Sequence, residues 1–272
     1  MYSGSTLTIY SGRLLGGHQK IDRVARRHLE QLAPVSAFPK IGDILHFEGG
    51  NGPDAIKRKS PAQDEPWHYY QPFNENDTEL LDLIAYHYKH LVRTLREKND
   101  VRAAFEAAWL SHAIVDGLTP PHHFPYEEKL VELRGGEGIA GRTTIKGKLV
   151  MPGKNRREQI SNNWKMWGPK GLMTTHGAFE LGFATVILPL SLSQAMPTPE
   201  EIEVFHELDI IGVFKRTAKE VAALNLYEEF YKKGWTPKLS RQIRNNLAPT
   251  IVRCVTLAWL GALQDAKAPI II

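Results

Sequence analysis

Apolar positions recur at helical spacing along nearly the whole chain. Leu14, Ile21, Val24, Ala25, Leu29 and Leu32 make one stripe, and Leu80, Leu81, Leu83, Ile84, Leu91, Val92 and Leu95 make a second. Asp77 or Thr78 is placed to cap the second stripe. Asn99-Asp100 opens a third helix, predicted from about Val101 to Gly117, with Gly117 as its stop. Further helices are predicted over 172–195, 200–234 and 239–266, with Pro189 kinking or ending the first and Pro249 bending the last. Only Ile41 to Phe47 and Thr143 to Met151 look extended, and both are short. The expectation is a mainly α fold, one multi-helix domain over 1–272. Two segments rich in Gly and Pro, about 48–73 and 134–171, are expected to be long irregular loops.

Composition narrows this picture little. At 272 residues, 42% hydrophobic and 24% charged, the chain can bury a sizeable core, which argues against wholesale disorder. The net charge of +4 suits an anionic partner, and Arg142, Lys146, Lys148, Lys154, Arg156 and Arg157 concentrate positive charge in the second loop. A single cysteine, Cys254, rules out an intramolecular disulfide and a cysteine-rich zinc site, so any metal must be held by His and carboxylates. No basic start followed by an apolar stretch marks a secretory signal, and Phe183 to Leu192 is too short to cross a bilayer. A soluble, cytoplasmic protein without a transmembrane segment is therefore expected.

The chemistry lies in the 11 histidines. In Trp109-Leu-Ser-His112-Ala-Ile-Val-Asp116-Gly117, the imidazole and carboxylate stand four residues apart and project from one helical face, able to converge on one cation. Thr119-Pro120-Pro121 then turns the chain to present His122. Met173-Thr-Thr-His176-Gly-Ala-Phe-Glu180 repeats the His-x3-carboxylate spacing, the first loop adds Asp54 and His68, and His18 follows Gly16-Gly17. Asp43 and Asp64 compete with Asp54 for its role; His46 and His123 are candidates for bracing the ligands. His28, His87 and His90 read as packing or surface residues. The aromatic residues Trp67, Tyr69, Tyr70, Phe73, Phe124 and Tyr126 flank the ligands, and one or two could line a pocket.

The ordered set of Asp54, His68, His112-x3-Asp116-x5-His122 and His176-x3-Glu180 resembles the zinc-dependent phospholipase C family, related to the single-strand-specific zinc nucleases of fungi and plants. The resemblance runs from His18 to Glu180. It implies one zinc held by Asp54, His68, His112 and Asp116, and a second held by His122, His176 and Glu180. It implies a third held by His18, the shared Asp116 and an N-terminal Trp; this sequence has Met1 and no Trp before His18, so that site is expected to lack a ligand. The interval from His122 to His176 is far longer than in the phospholipases, so the rim of the pocket is expected to differ.

The activity so implied is hydrolysis of a phosphoric ester by a metal-activated hydroxide, with Asp54 orienting or deprotonating the water. The substrate class stays open between a phospholipid head group and nucleic acid or a nucleotide; a non-catalytic metal-binding protein is the remaining alternative. An adjacent His-Asp phosphohydrolase motif is absent from the sequence. A di-iron bundle would need Glu-x-x-His on two helices, and Pro66 spoils one of the two matches, Glu65-x-x-His68.

Overall fold

The computed structural model describes residues 16–34, 36–57 and 59–268. It is 73% helical, and no strand occurs among the described residues, so the fold is all-α. The first stripe becomes α1 (Gly17–Leu32), which buries Ile21, Val24, Ala25 and Leu29; Leu14 lies outside the described residues. The first stretch expected to be extended is instead helix α2 (Ile41–Glu48). Its pattern is too short to separate strand from helix, and Ile44 alone buries fully into the core.

The 48–73 segment is largely irregular, as its Gly and Pro content demands, but contains one α-helical turn, α3 (Pro53–Ile56), and a 3-10 turn over Ala62–Asp64. Two long antiparallel helices follow, α4 (Glu79–Arg96) and α5 (Asp100–Gly117). Thr78 occupies the N-cap position of α4 without a side-chain cap, and Asp77, the other candidate, instead accepts from Gln71 N through Oδ2 at 2.7 Å. On α5 the cap is made: Asn99 Oδ1 accepts from Arg102 N. Gly117, expected to stop α5 by its backbone freedom, acts through its size: a Cβ there would lie 2.5 Å from both Leu80 and Phe214 side chains.

The 134–171 insertion is more ordered than predicted. After α6 (Tyr126–Leu133) it contains α7 (Ile145–Leu149), where an extended piece was expected, and α8 (Arg156–Trp167). Thr144 and Asn155 cap these two helices by accepting from Gly147 N and Glu158 N. A small apolar cluster of Tyr126, Leu130, Met151 and Met166 anchors the insertion. α8 does not read as a core helix because most of its apolar side chains face solvent: Met166 is its one buried residue.

The remaining helices complete the main core. α9 (Leu172–Ile187) ends two residues before Pro189. The predicted 200–234 helix divides into α10 (Pro199–Ala223) and α11 (Leu226–Lys233) at Asn225, whose φ is 52°. Within α10, Asp209 at φ 59° makes a kink and caps the continuation, accepting from Ile211 N and Gly212 N. α12 (Pro237–Gln242) runs into α13 (Ala248–Lys267) through a π-helical turn over Ile243–Leu247. That turn absorbs Pro249, which has no N–H to donate four residues back. α13 packs against α1, α4 and α10, and its Trp259 Nε1–H donates to Ala107 O at 3.1 Å. The span Pro237–Lys267 is long and apolar enough to cross a membrane, yet 83% of its apolar window is buried within the protein. Cys254 is buried on the same helix.

Candidate metal centre

Each residue of the centre is delivered by a local device. His18 sits in the first turn of α1, and Glu48 ends α2. Gly52 lets the chain fold back onto that end: a Cβ there would lie 2.5 Å from Glu48 O and 2.8 Å from Phe47 O. Pro53 then starts α3 and Asp54 faces inward. α5 carries His112 and Asp116 on one face, and a 3-10 turn, Pro120–His123, presents His122. The segment carrying His68 is pinned to that turn from both sides. Tyr70 N–H donates to His122 O at 3.0 Å, and His122 Nδ1 lies 2.7 Å from His68 O. His176 and Glu180 come from α9.

All eight residues named from the sequence are brought together. His18, Asp54, His68, His112, Asp116, His122 and His176 are buried, and Glu180 is nearly so. Asp116 is the hub. Its Oδ2 lies 2.7 Å from His68 Nδ1 and 3.1 Å from His112 Nε2; its Oδ1 lies 3.2 Å from His18 Nε2 and 3.7 Å from His122 Nε2. His112 Nε2 is also 4.0 Å from Asp54 Oδ1. Two ligands about 2.1 Å from a tetrahedral zinc stand about 3.4 Å apart, and the separations around Asp116 bracket that figure. Glu180 Oε1 bridges the other pair, 2.9 Å from His122 Nε2 and 3.0 Å from His176 Nε2.

Proton counting shows why these groups suit a cation. Burial holds the His122 ring down to about 4, against the pull of Asp116, so the imidazole is neutral at pH 7. A neutral imidazole carries one proton, yet Nδ1 faces a carbonyl oxygen and Nε2 a carboxylate oxygen. With Nδ1–H donating to His68 O, the Nε2 lone pair points at Glu180, an arrangement a metal would relieve. Burial also pushes His68 down, to about 3. His112 goes the other way: burial lowers it, but Glu48 and Asp116 outweigh burial and raise it to about 10. The carboxylates of Asp54, Asp116 and Glu180 are held below their ordinary values despite burial, Asp54 chiefly by Lys57 and the other two by the groups packed around them. Two buried ring nitrogens of the centre, His68 Nε2 and His176 Nδ1, have no hydrogen-bond partner.

Three groupings place one ligand atom from each member within 4.8 Å of the others: Asp54, His68 and His112; His122, His176 and Glu180; and His18, Glu48 and His112. The third reads better as a brace than as a metal site. The rings of His18 and His112 stack in parallel, 4.1 Å apart and 6° from coplanar orientation. Both turn Nδ1 toward Glu48 Oε1, at 3.5 and 3.0 Å, and both turn Nε2 toward Asp116. One carboxylate thus sets both rings with Nε2 facing the hub.

Glu48 was not found from the sequence, where its neighbours Phe47 and Gly49 say nothing of an inward carboxylate; only its complete burial identifies it. Lys57 was missed too. Its Nζ lies 2.7 Å from Asp54 Oδ1 and its side chain is 36% exposed. The i, i+3 spacing from Asp54 was the available signal. Tyr69 stacks between His122 and Tyr126, with ring centroids 5.4 and 5.1 Å away, and walls one side; Phe73 points into solvent at 72% exposure.

Other expectations are settled by position. Asp43 and Asp64 are exposed, leaving Asp54 alone in the centre. His46 is exposed against Asn51, whereas His123 braces the end of α5, its Nε2 lying 2.8 Å from Gly117 O. His87 packs against Glu106, and His28 is buried in α1 away from the hub. The N-terminal ligand of a third site falls outside the described residues. No family model, curated protein or solved structure matches this chain.

Proposed function

We propose that the chain is a metal-dependent phosphoric-ester hydrolase that holds two zinc ions, of the phospholipase C-like type that the ligand spacing resembles. Asp54, His68, His112 and Asp116 would hold one ion, and His122, His176 and Glu180 the other. The observation that carries this reading is the convergence of five buried imidazoles on Asp116 and Glu180. Imidazole-rich ligation favours zinc over a carboxylate-rich iron site.

When bound, zinc would acidify water and neutralise charge on a phosphoryl group. The chain's own groups supply the rest. Asp54, held ionised beside Lys57 despite its burial, is placed to orient a water or take its proton. Lys57 keeps a cation at the open side, where it suits an anionic phosphoryl oxygen. Tyr69 and Tyr126 supply a flat apolar wall beside His122 and His176.

The test is zinc content measured on the same sample as hydrolysis of bis-p-nitrophenyl phosphate, phosphatidylcholine and single-stranded DNA. Two zinc ions per chain and turnover of at least one substrate are expected, and the substrate cleaved decides between a lipid and a nucleic-acid enzyme. Less than one zinc per chain, or all three substrates left intact by the zinc-loaded protein, refutes the proposal; zinc without turnover supports a non-catalytic metal-binding protein. His122→Ala is expected to lose one zinc and most of the activity.

A further inference from the structure

The insertion that follows α6 accounts for the chain's net positive charge. Residues 144–171 contain seven Lys or Arg and one acidic residue, Glu158, whereas the entire chain is only +4. The rest of the molecule is therefore slightly acidic. The same segment holds an unusual share of the exposed large apolar side chains: Ile145, Leu149, Ile160, Trp164 and Trp167.

Those on α8 form one face. On α8, Ile160, Trp164 and Trp167 follow the i, i+4, i+7 stripe, with Ile160 62% and Trp164 68% exposed. Met166 points the opposite way, into the small anchoring cluster. α7 is tied to this stripe, since Trp167 Nε1–H donates to Leu149 O at 2.8 Å and Met151 N–H to Asn163 Oδ1 at 3.1 Å. Arg156 and Arg157 stand four and three residues before Ile160, on its side of the helix. On the far side the insertion is clamped to the loop carrying Lys57: Lys148 Nζ contacts Lys57 O, Ser60 O at 2.7 Å and Glu65 Oε1 at 2.7 Å.

We propose that the face formed by α7 and α8 docks onto an anionic lipid surface, with Ile160, Trp164, Trp167 and Leu149 entering the head-group boundary and Arg156 and Arg157 meeting lipid phosphates. Exposed tryptophan flanked by Lys and Arg is the pairing that membrane interfaces select. Each basic residue near such a surface raises partition about fivefold. Two rival occupants fit less well. Nucleic acid would use the cations and the indoles, but exposed Ile145, Leu149 and Ile160 offer nothing to a base or a phosphate. A second copy of the chain would set two strongly cationic faces against each other.

The inference does not rest on the metal centre, and its test reads no activity. The full chain is sedimented with phosphatidylcholine vesicles containing about 30% phosphatidylglycerol and with phosphatidylcholine alone. Binding to the anionic vesicles, weakened by salt and at least tenfold stronger than to neutral ones, is expected. Trp164→Ser with Ile160→Ser is expected to lower that binding at least tenfold, and Arg156→Glu with Arg157→Glu to do the same. Because all four side chains are exposed, circular dichroism and zinc content should be unchanged; if the apolar pair misfolds, the charge reversal alone decides. The proposal is overturned by no binding of the parent chain to anionic vesicles or by variants that bind like it. It is equally overturned by tighter binding to a short thymidine oligonucleotide than to vesicles, or by a dimer that Trp164→Ser dissolves.

Discussion

The ligand cluster has a deep end and a shallow end, and they are built differently. At the deep end, His18 and His112 are stacked and share one buried carboxylate, Glu48, behind them. At the shallow end, His122 is set by a backbone carbonyl, His68 O, and His176 Nδ1 has no hydrogen-bond partner. The difference shows in protonation. His112 lies between two carboxylates and is raised to about 10, whereas burial holds His122 down to about 4. A carboxylate behind a ring makes it a more basic ligand but one that must shed a proton to bind metal. A carbonyl fixes the tautomer without that competition. The deep site should therefore bind zinc more tightly at high pH, and the shallow site should respond less to pH.

The strongest way to break this comparison is to remove what the two ends share. Asp116 touches His18, His68, His112 and His122. Asp116→Asn keeps the shape and removes the charge, so both ends should suffer together. Zinc content should fall below one per chain. Activity should fall about 10³-fold or more, the scale of several kcal/mol of metal stabilisation. Full retention of either zinc would show that the hub does not couple the two ends.

A smaller substitution separates them. Glu48→Gln keeps a hydrogen-bond acceptor behind His112 and His18 but removes the charge. Loss of such a partner costs about 10–100-fold in metal affinity, and here the loss should fall on the deep zinc alone. Competition with a chelator should show one zinc released early and the other unchanged. Equal weakening of both ions would erase the distinction between the ends.

How much of this was legible in the sequence follows the same division. Groups spaced within one helix, His112 with Asp116 and His176 with Glu180, are visible because helical geometry is local. The short turn from Gly117 to His122 belongs with them. Glu48 was invisible because its contact with His112 spans 64 residues and depends on how α2 packs against α5. The long helices were legible from their stripes. α2 and α7 were not, because eight and five residues are too few to show a period. The break at Asn225 and the kink at Asp209 were hidden for another reason: neither carries Gly or Pro. Their positive φ angles are imposed by packing, on residue types that tolerate them.

The mildest test uses pH on the protein without metal. His112 has its folded-state value raised from 6.5 to about 10. A group raised on folding adds stability that is fully present below its unfolded value and is lost as pH climbs through the folded one. The metal-free protein should therefore lose stability between about pH 6.5 and 10. At roughly 2–4 °C per kcal/mol for a chain of this size, the melting temperature should fall by several degrees across that window. Zinc held by His112 would take the place of a ring proton, so the loaded protein should show a much flatter profile there. Glu48→Gln removes one of the two carboxylates that raise His112, so its metal-free form should show a smaller fall. An equal fall in that variant would mean that Asp116 alone sets the charge of His112, and Glu48 would then be a packing residue.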